Sequence, residues 1–176
     1  TLYKVGLKKA KSVFFENVQN AQVMIDDKTI TKEQAVVMNG AGVNLERFSF
    51  SPMPKDDITK FLFVGRVMEE KGVNELFDAI KKIKSEGIKT EFGFLGWFEE
   101  DYSQIIKDLE AKDYIKYYGY QKDVVKFMKE AHCIVLPSYH EGMANVLLEG
   151  ASIGRALIAS DIHGCKESII DGVSGF

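Results

Sequence analysis

The sequence predicts an α/β fold with a doubly wound, parallel, Rossmann-like sheet. Short apolar runs that end in Gly or Ser alternate with longer amphipathic stretches over most of the chain. Most of these runs are nearly continuous in apolar residues, as is typical of strands that helices cover on both faces. Repeated strand and helix units of this kind form parallel sheets with right-handed crossovers. Such sheets bind ligands beyond the carboxyl ends of their strands, so the residues that follow each strand are the first candidates for a site.

The predicted elements of this sheet follow one another from residue 61 onward. The strands are rich in Phe, Ile, Val, Leu and Tyr, whereas the helices place apolar residues three and four positions apart. In chain order they are strand 61–65, helix 72–86, strand 92–96, helix 102–112, strand 115–119, helix 122–131, strand 133–138, helix 144–153 and strand 156–160.

The first fifty residues are organised differently. They contain a predicted strand at 11–15, a helix at 17–25, a strand at 35–38 and a Gly-rich stretch at 39–43. Residues 49–57 include two prolines and two aspartates, which is typical of a linker. We therefore expect 1–50 to be the remnant of an N-terminal domain with its linker, and 51–176 to be the main domain. Residues 171–176 form a turn before a new apolar strand, so we expect the main domain to be truncated at its C-terminus.

Composition excludes several classes of protein. The chain has 176 residues and a formal net charge of -3, which argues against a nucleic-acid surface over the whole molecule. Its two cysteines indicate neither a disulfide framework nor a metal site, and no run approaches the ~20 apolar residues of a membrane helix. We expect a cytoplasmic setting, no nucleic-acid partner and no transmembrane segment in this chain.

The most informative stretch is 133–149, which reads as a buried strand, a short polar loop and the start of a helix. N–H groups in the first turn of a helix lack intrahelical partners and favour anions such as phosphates. Glu141 lies in the loop and Glu149 about two turns later, on the order of 10 Å along the helix. This span suits a ligand with a charged centre and hydroxylated ends, which is the shape of a nucleotide-sugar.

Several separated motifs resemble the C-terminal half of retaining GT-B glycosyltransferases of family 4, also called group 1. These motifs are Gly65-Arg66 with Lys71-Gly72, Pro137-Ser138, Glu141-Gly142 with Glu149, Gly164 to Glu167, and Asp171-Gly172. Residues 42–48 are similar to the interdomain Gly-Val-Asp segment of that family, with Asn44 where Asp is usual. The sequence also departs from the family at Ala156, where Pro is common, and at His163, where a small residue or Pro is common.

The resemblance implies that the matching residues bind a nucleotide-sugar donor. Arg66 and Lys71 match the basic pair on the donor diphosphate, and Glu141 matches the glutamate that reaches the hydroxyls of the donor sugar. These three are the expected catalytic residues. Glu149 matches the glutamate that binds the ribose hydroxyls. The other expected donor contacts are Gly65, Tyr120, Gly142, Met143, Ala144 and Asn145.

Two of these expectations are more specific. The N–H groups of residues 142–144 are expected to face the phosphate and the sugar. Tyr120 stands at the base-binding edge, where an aromatic ring can hold uracil or guanine, with Trp97 as a second candidate. The alternative for Tyr120 is that it packs a helix against the sheet.

The resemblance also implies what the whole enzyme does. A hexose moves from a nucleoside diphosphate, UDP rather than GDP, to an acceptor hydroxyl with retention, in capsule, O-antigen or exopolysaccharide synthesis. No metal and no other cofactor is implied. The acceptor, a glycan or a lipid-linked glycan, belongs to the N-terminal domain, so we expect this chain alone to be inactive. The full-length enzyme is expected in the cytoplasm or at the inner face of the membrane.

Two alternatives stay open at this point. The same fold serves nucleotide-sugar epimerases and sugar phosphorylases, although a basic pair combined with Glu141 and Glu149 favours transfer. A non-catalytic nucleotide-binding module or a dinucleotide-dependent enzyme is also compatible with the sheet. The second class is disfavoured because residues 65–72 do not form GxGxxG and no acidic residue ends the second strand.

Overall fold

The computed structural model describes residues 2–38 and 40–176. Thr1 and Asn39, the first residue of the predicted Gly-rich stretch, lie outside the described residues. In chain order the helices and strands are α1 (Leu2–Gly6), β1 (Val13–Phe15), α2 (Val18–Asp26), β2 (Ala35–Val37), β3 (Thr59–Val64), α3 (Val73–Ser85), β4 (Thr90–Leu95), α4 (Ser103–Ala111), β5 (Lys116–Gly119), α5 (Val125–Glu130), β6 (Cys133–Leu136), α6 (Asn145–Ile153) and β7 (Ala156–Ala159).

The main sheet consists of five parallel strands in the order β5-β4-β3-β6-β7. In the central strand β3, Phe61 is paired with Phe92 of β4 on one side and with Cys133 of β6 on the other. From β3 the chain winds outward through β4 to β5 and then crosses back to β6, so the order reverses between β3 and β6. The predicted α/β fold with a doubly wound parallel sheet is confirmed. The reversal point lies between the carboxyl ends of β3 and β6, which is where such sheets bind ligands.

The core lies between the sheet and its helices. β6 is buried along its whole length. α6 lies close to the sheet at Gly150, where a Cβ would stand 2.7 Å from Cγ1 of Ile134. This close packing sets the position of α6 on β6, and with it the positions of the two elements that the loop connects. One face of α3 is buried through residues three or four apart, Val73, Leu76, Phe77 and Ile80.

Residues 2–38 contain a separate two-stranded parallel sheet of β1 and β2, with α2 in the connection. These elements agree with the strand, helix and strand predicted in this segment. The sequence pattern does not predict α1 or the 3-10 helices Lys32–Gln34, Glu69–Lys71 and Lys166–Ser168. Elements of three to five residues are too short to show a helical period.

Arg155 fixes the linker to the main domain. Its side chain is 3% exposed, and its guanidinium donates hydrogen bonds to the backbone oxygens of Ser51 and Pro52 in the linker. It also donates to Ala131 after α5 and to Ile153 in α6. Among the described residues no carboxylate pairs with it; carbonyl oxygens accept from its two terminal nitrogens, and its buried Nε has no partner. The linker therefore has a defined path along the amino edge of the sheet.

Candidate active site

A cleft of about 560 Å³ opens at the carboxyl ends of β3, β4 and β5. Its size is in the usual range for a small-molecule site. A mainly apolar groove of about 670 Å³ runs along β7 and past Arg155, but it contains none of the predicted site residues. The cleft at the carboxyl edge gathers four of them, Gly65, Arg66, Lys71 and Tyr120.

An ion pair between Lys71 and Glu141 lies at the reversal point of the sheet. Lys71 Nζ is 2.6 Å from Glu141 Oε1, and the two side chains are 17% and 13% exposed. The buried hydroxyl of Ser138 donates to the same oxygen at 2.7 Å. Lysine has three N–H donors, so this pair leaves Lys71 with donors for a ligand in the cleft. The structure thus places a cation and a carboxylate of the predicted set side by side.

Three further contacts join the loop after β3 to the loop after β6. Gly72 has a left-handed φ of 67°, and a Cβ there would collide with the carbonyl of Pro137. The N–H of Tyr139 donates to Glu70 O at 2.9 Å, and its hydroxyl donates to Glu75 Oε1 at 2.6 Å. The segment after β3 is therefore connected to the loop after β6 through backbone and side-chain contacts, in addition to the ion pair.

Arg66 also lines the cleft and pairs with the loop after β4. Its Nη1 is 3.7 Å from Glu99 Oε1, and the same carboxylate accepts a hydrogen bond from Trp97 Nε1 at 3.2 Å. Both charged side chains of this pair are more than a third exposed, so the pair is weak and Arg66 can turn toward a ligand.

Two aromatic rings stand at the end of the cleft next to Arg66. Trp97 and Tyr120 form an edge-to-face pair with ring centroids 5.7 Å apart, and both rings remain substantially exposed. Tyr120 does not pack a helix against the sheet, because its ring is 66% exposed. Exposed aromatic faces at a cleft are suited to stacking on a planar group such as a nucleobase.

The start of α6 is supported by the loop after β7. Ala144 is buried and its N–H donates to Gly164 O at 2.7 Å, so the expectation that this N–H faces the donor is wrong. The physical reason is that the loop after β7 lies against the start of α6, and its Gly164 carbonyl accepts the N–H of the N-cap residue, which has no intrahelical acceptor. Among the described residues, the N–H groups of Gly142 and Met143 have no acceptor and remain available. Asn145 is exposed at the first position of the helix.

The loop after β7 is itself held by Glu167. Its carboxylate accepts the N–H of Gly164 at 2.7 Å and lies 2.9 Å from Nδ1 of His163. Burial raises the pKa of Glu167, but the hydrogen bonds from His163 and the backbone outweigh burial and lower it overall. His163 is therefore a partner of the residue that holds this loop.

Glu149 is half-buried in the second turn of α6. Burial raises the pKa of this carboxyl group, and the positive charge of Arg47 opposes the shift only in part. In the part of the chain that the structure describes, no side chain or backbone N–H donates to it. A partly desolvated carboxylate without donors is a ready acceptor for ligand hydroxyls.

The sequence patterns do not indicate two residues that contact the site, Glu16 and Asn17. Asn17 Nδ2 donates to the carbonyl oxygens of Glu141 and Gly142 at 3.2 and 2.7 Å. A Cβ on Gly142 would collide with the carboxylate of Glu16. More than 120 positions separate these residues from the loop that they touch, so no local pattern could have indicated the contact.

The described residues, 2–38 and 40–176, include no group of three His, Cys, Asp or Glu side chains placed to hold a metal ion. None of the helices in these residues has the length and hydropathy needed to cross a membrane.

Comparison with families of known proteins gives a match over residues 46–176 to the model described as Glycosyl transferases group 1. The chain is 28% identical over 189 residues to the N,N'-diacetylbacillosaminyl-diphospho-undecaprenol alpha-1,3-N-acetylgalactosaminyltransferase of Campylobacter jejuni, covering 99% of this chain and 49% of that protein. It is 26% identical to the capsular polysaccharide biosynthesis glycosyltransferase CapM of Staphylococcus aureus, covering 65% of this chain and 31% of CapM. The chain spans about half the length of these curated relatives, or less.

Solved structures show the same fold. A glycosyltransferase from Rickettsia africae superposes with a TM-score of 0.80 at 19% identity, covering 100% of this chain and 52% of that one. Anabaena Alr3699/HepE in complex with UDP and glucose superposes with a TM-score of 0.79 at 18% identity, covering 99% of this chain and 52% of that one. The fold is that of GT-B glycosyltransferases.

Proposed function

The chain belongs to the glycosyl transferases group 1, and we propose that it forms the donor-binding half of a retaining family 4 enzyme. The observation that carries this proposal is the ion pair of Lys71 with Glu141 beside a cleft that also contains Arg66. A cation for a diphosphate and a carboxylate for a sugar are held next to each other at the reversal point of the sheet. Membership in this family favours transfer over the epimerase and phosphorylase alternatives.

We propose the following placement of the donor. The nucleobase lies against Trp97 and Tyr120, the ribose hydroxyls donate to Glu149, and the diphosphate lies between Arg66 and Lys71. The sugar then reaches Glu141 and the free N–H groups of Gly142 and Met143. This order is supported by the exposed aromatic pair, the carboxylate without donors and the N–H groups without acceptors.

In the proposed step, the bond between C1 of the sugar and the diphosphate oxygen breaks, and the acceptor oxygen bonds to C1 on the same face. The proton of the acceptor hydroxyl leaves with the nucleoside diphosphate. Negative charge grows on the departing diphosphate, so cations fixed beforehand stabilise the transition state more than the ground state. Lys71 is fixed in this way by Glu141.

UDP is the proposed nucleotide, since the Anabaena structure is a complex with UDP and glucose. The relatives from Campylobacter and Staphylococcus are named for an undecaprenol-linked acceptor and for capsular polysaccharide. We therefore propose a glycan or lipid-linked acceptor, in a cytoplasmic enzyme that works at the inner face of the membrane.

We further propose that residues 1–50 belong to the acceptor-binding domain and its linker, and that 51–176 are the donor domain. Two observations support this boundary. β1 and β2 form their own sheet, and the family match begins at residue 46.

Calorimetric titration of the chain with UDP, GDP, ADP and their hexose conjugates tests the proposal. Saturable binding of the UDP series, weakened in Glu149→Ala, is the expected result. Binding of another nucleotide series would change the proposed base, and transfer of sugar by this chain alone would contradict the assignment of the acceptor site to another domain. Absence of binding to all three series would count against the donor site.

A further inference from the structure

The side chain of Asn17 joins the first segment of the chain to the loop that carries Glu141. It is 4% exposed, and its Nδ2 donates to the carbonyl oxygens of Glu141 and Gly142. Its Oδ1 accepts the N–H of Asn20 at 2.8 Å and so caps α2. One buried amide thus binds its own helix with its oxygen and a loop 124 positions away with its nitrogen.

The second of these contacts explains why the residue is an amide. Asp and Ser cap helices about as well as Asn does, so capping alone does not require Asn. Only an amide combines an acceptor with two N–H donors at this length, and a carboxylate would face the two carbonyls without any donor. The residue type therefore matches the contact with the loop.

Other residues of the first segment touch the same loop. The carboxylate of Glu16 occupies the space that a side chain at position 142 would need. Gly40 has a φ of 74°, and a Cβ there would lie 2.6 Å from Cγ of Met143. Residues 16 and 17 therefore contact the loop at 141 and 142, and residue 40 lies against the side chain of Met143. The side chain of Glu141 is held by Lys71.

We infer that Asn17 is a positioning residue for the donor sugar. By holding the carbonyls of Glu141 and Gly142, it sets the direction of the Glu141 carboxylate and of the N–H groups of Gly142 and Met143. The inference rests on the proposed function, because it assumes that the sugar lies at this loop. It assigns part of the sugar site to a residue that precedes the proposed domain boundary.

Two variants separate this role from helix capping. Asn17→Asp and Asn17→Ser both retain a cap for α2 but lose the pair of N–H donors. We expect each to weaken the binding of a UDP-hexose by about fivefold or more, as the loss of a buried hydrogen bond implies. UDP itself should change by less than about twofold, since Glu149 and the aromatic pair are untouched. Gln19→Glu is the matched control for Asn17→Asp: it adds the same charge at an exposed position of α2 and should change neither affinity.

The amide resonances of Gly142 and Met143, recorded without ligand, provide a second readout. Both should shift in the Asn17 variants and stay in place in Gln19→Glu. Equal weakening of UDP and UDP-hexose, or unchanged binding of both, would overturn the inference, as would failure of both variants to fold.

If the wild-type chain binds no nucleotide, the result counts against the proposed function, and the amide resonances alone test the role of Asn17. Resonances of Gly142 and Met143 that do not shift in the Asn17 variants would then overturn the inference. Resonances that do shift would support the control of the loop geometry by Asn17.

Discussion

Lys71 Nζ lies 2.6 Å from Glu141 Oε1, and this ion pair joins loops whose residues are 70 positions apart. Both side chains are largely buried, and Ser138 donates to the same carboxylate oxygen. The resemblance implies that Lys71 binds the donor diphosphate and that Glu141 binds the donor sugar. The structure adds that each holds the other in place before a ligand arrives, which is the condition for electrostatic preorganisation.

Lys71→Met should lower both stability and affinity. The unfolding free energy should fall by about 1–3 kcal/mol, between the values for exposed and fully buried pairs. Affinity for a UDP-hexose should fall about tenfold or more, because a charged hydrogen bond to the diphosphate is lost. Chemical denaturation and calorimetry measure the two effects, with Lys81→Met, at an exposed pair with Asp78, as control.

The double variant Lys71→Met with Glu141→Gln distinguishes binding of the diphosphate by Lys71 from its role as the counter-ion of Glu141. It removes the unpaired buried charge, so part of the lost stability should return. Affinity should stay low. Recovery of affinity in the double variant would show that Lys71 acts only as the counter-ion of Glu141.

Glu149→Gln should stabilise the chain and weaken its binding of nucleotide. Burial raises the pKa of Glu149, so the charged form costs folding free energy at neutral pH, and the neutral amide removes that cost. The loss of hydrogen bonds to a charged acceptor should weaken UDP binding about 10- to 100-fold.

The pH dependence of stability checks the same carboxyl group. The folded pKa of Glu149 lies above the unfolded value of about 4.3, so the folded state holds more protons between the two values. The contribution of this group to the unfolding free energy therefore decreases as pH rises through that window. This decrease should be absent from Glu149→Gln and unchanged in the exposed control Glu130→Gln.

Tyr120→Ala should weaken UDP binding about tenfold, because stacking of a base on an aromatic ring contributes about 1–3 kcal/mol. Trp97 is the one tryptophan of the chain and pairs with Tyr120, so its fluorescence should report saturable binding of UDP. Tyr118→Leu is the control, since Tyr118 packs on Phe127 and lines a different groove. Equal losses in both variants would argue against a base site at Tyr120.

The two cysteines should make the chain less stable in alkaline solution. Burial raises the pKa of Cys133 and of Cys165 to about 12. The unfolded value is about 8.5, so above that pH the unfolded state releases protons that the folded state keeps. The unfolding free energy should fall as pH rises, by up to about 1.4 kcal/mol per pH unit for each thiol.

Denaturation between about pH 8.5 and 10 measures this slope. Cys165→Ala should show a shallower slope than the wild type. Val135→Ala, which removes buried volume from β6 without a titrating group, should lower stability at every pH and leave the slope unchanged. An unaltered slope in Cys165→Ala would contradict the prediction.

The sequence predicts the sheet well because apolar runs and turn residues are local signals. β6 and α6 are clear from residues 133–153 alone, and alternating strands and helices predict a doubly wound parallel sheet. The strand order itself is seen only in the structure. The ends of the strands likewise indicate where Arg66, Lys71 and Tyr120 should meet, and the cleft contains all three.

Contacts between distant residues leave no such signal. The hydrogen bonds of Asn17 to residues 141 and 142, and those of Arg155 to the linker, join segments more than 100 positions apart. The prediction that the N–H of Ala144 faces the donor is wrong for the same reason, since it depends on a contact between distant residues. The helix start is predictable, but the carbonyl of Gly164 that occupies its N–H comes from the next loop of the sheet.

The contact of Asn17 with the Glu141 loop bears on how such enzymes can be recombined. A chimaera made by exchanging the main domain at residue 50 would pair the Glu141 loop of one parent with the Asn17 position of the other. A crossover placed before β1 would transfer Glu16, Asn17 and Gly40 together with the loop that they contact. Donor preference should therefore move intact with residues 13–176, and only in part with residues 51–176.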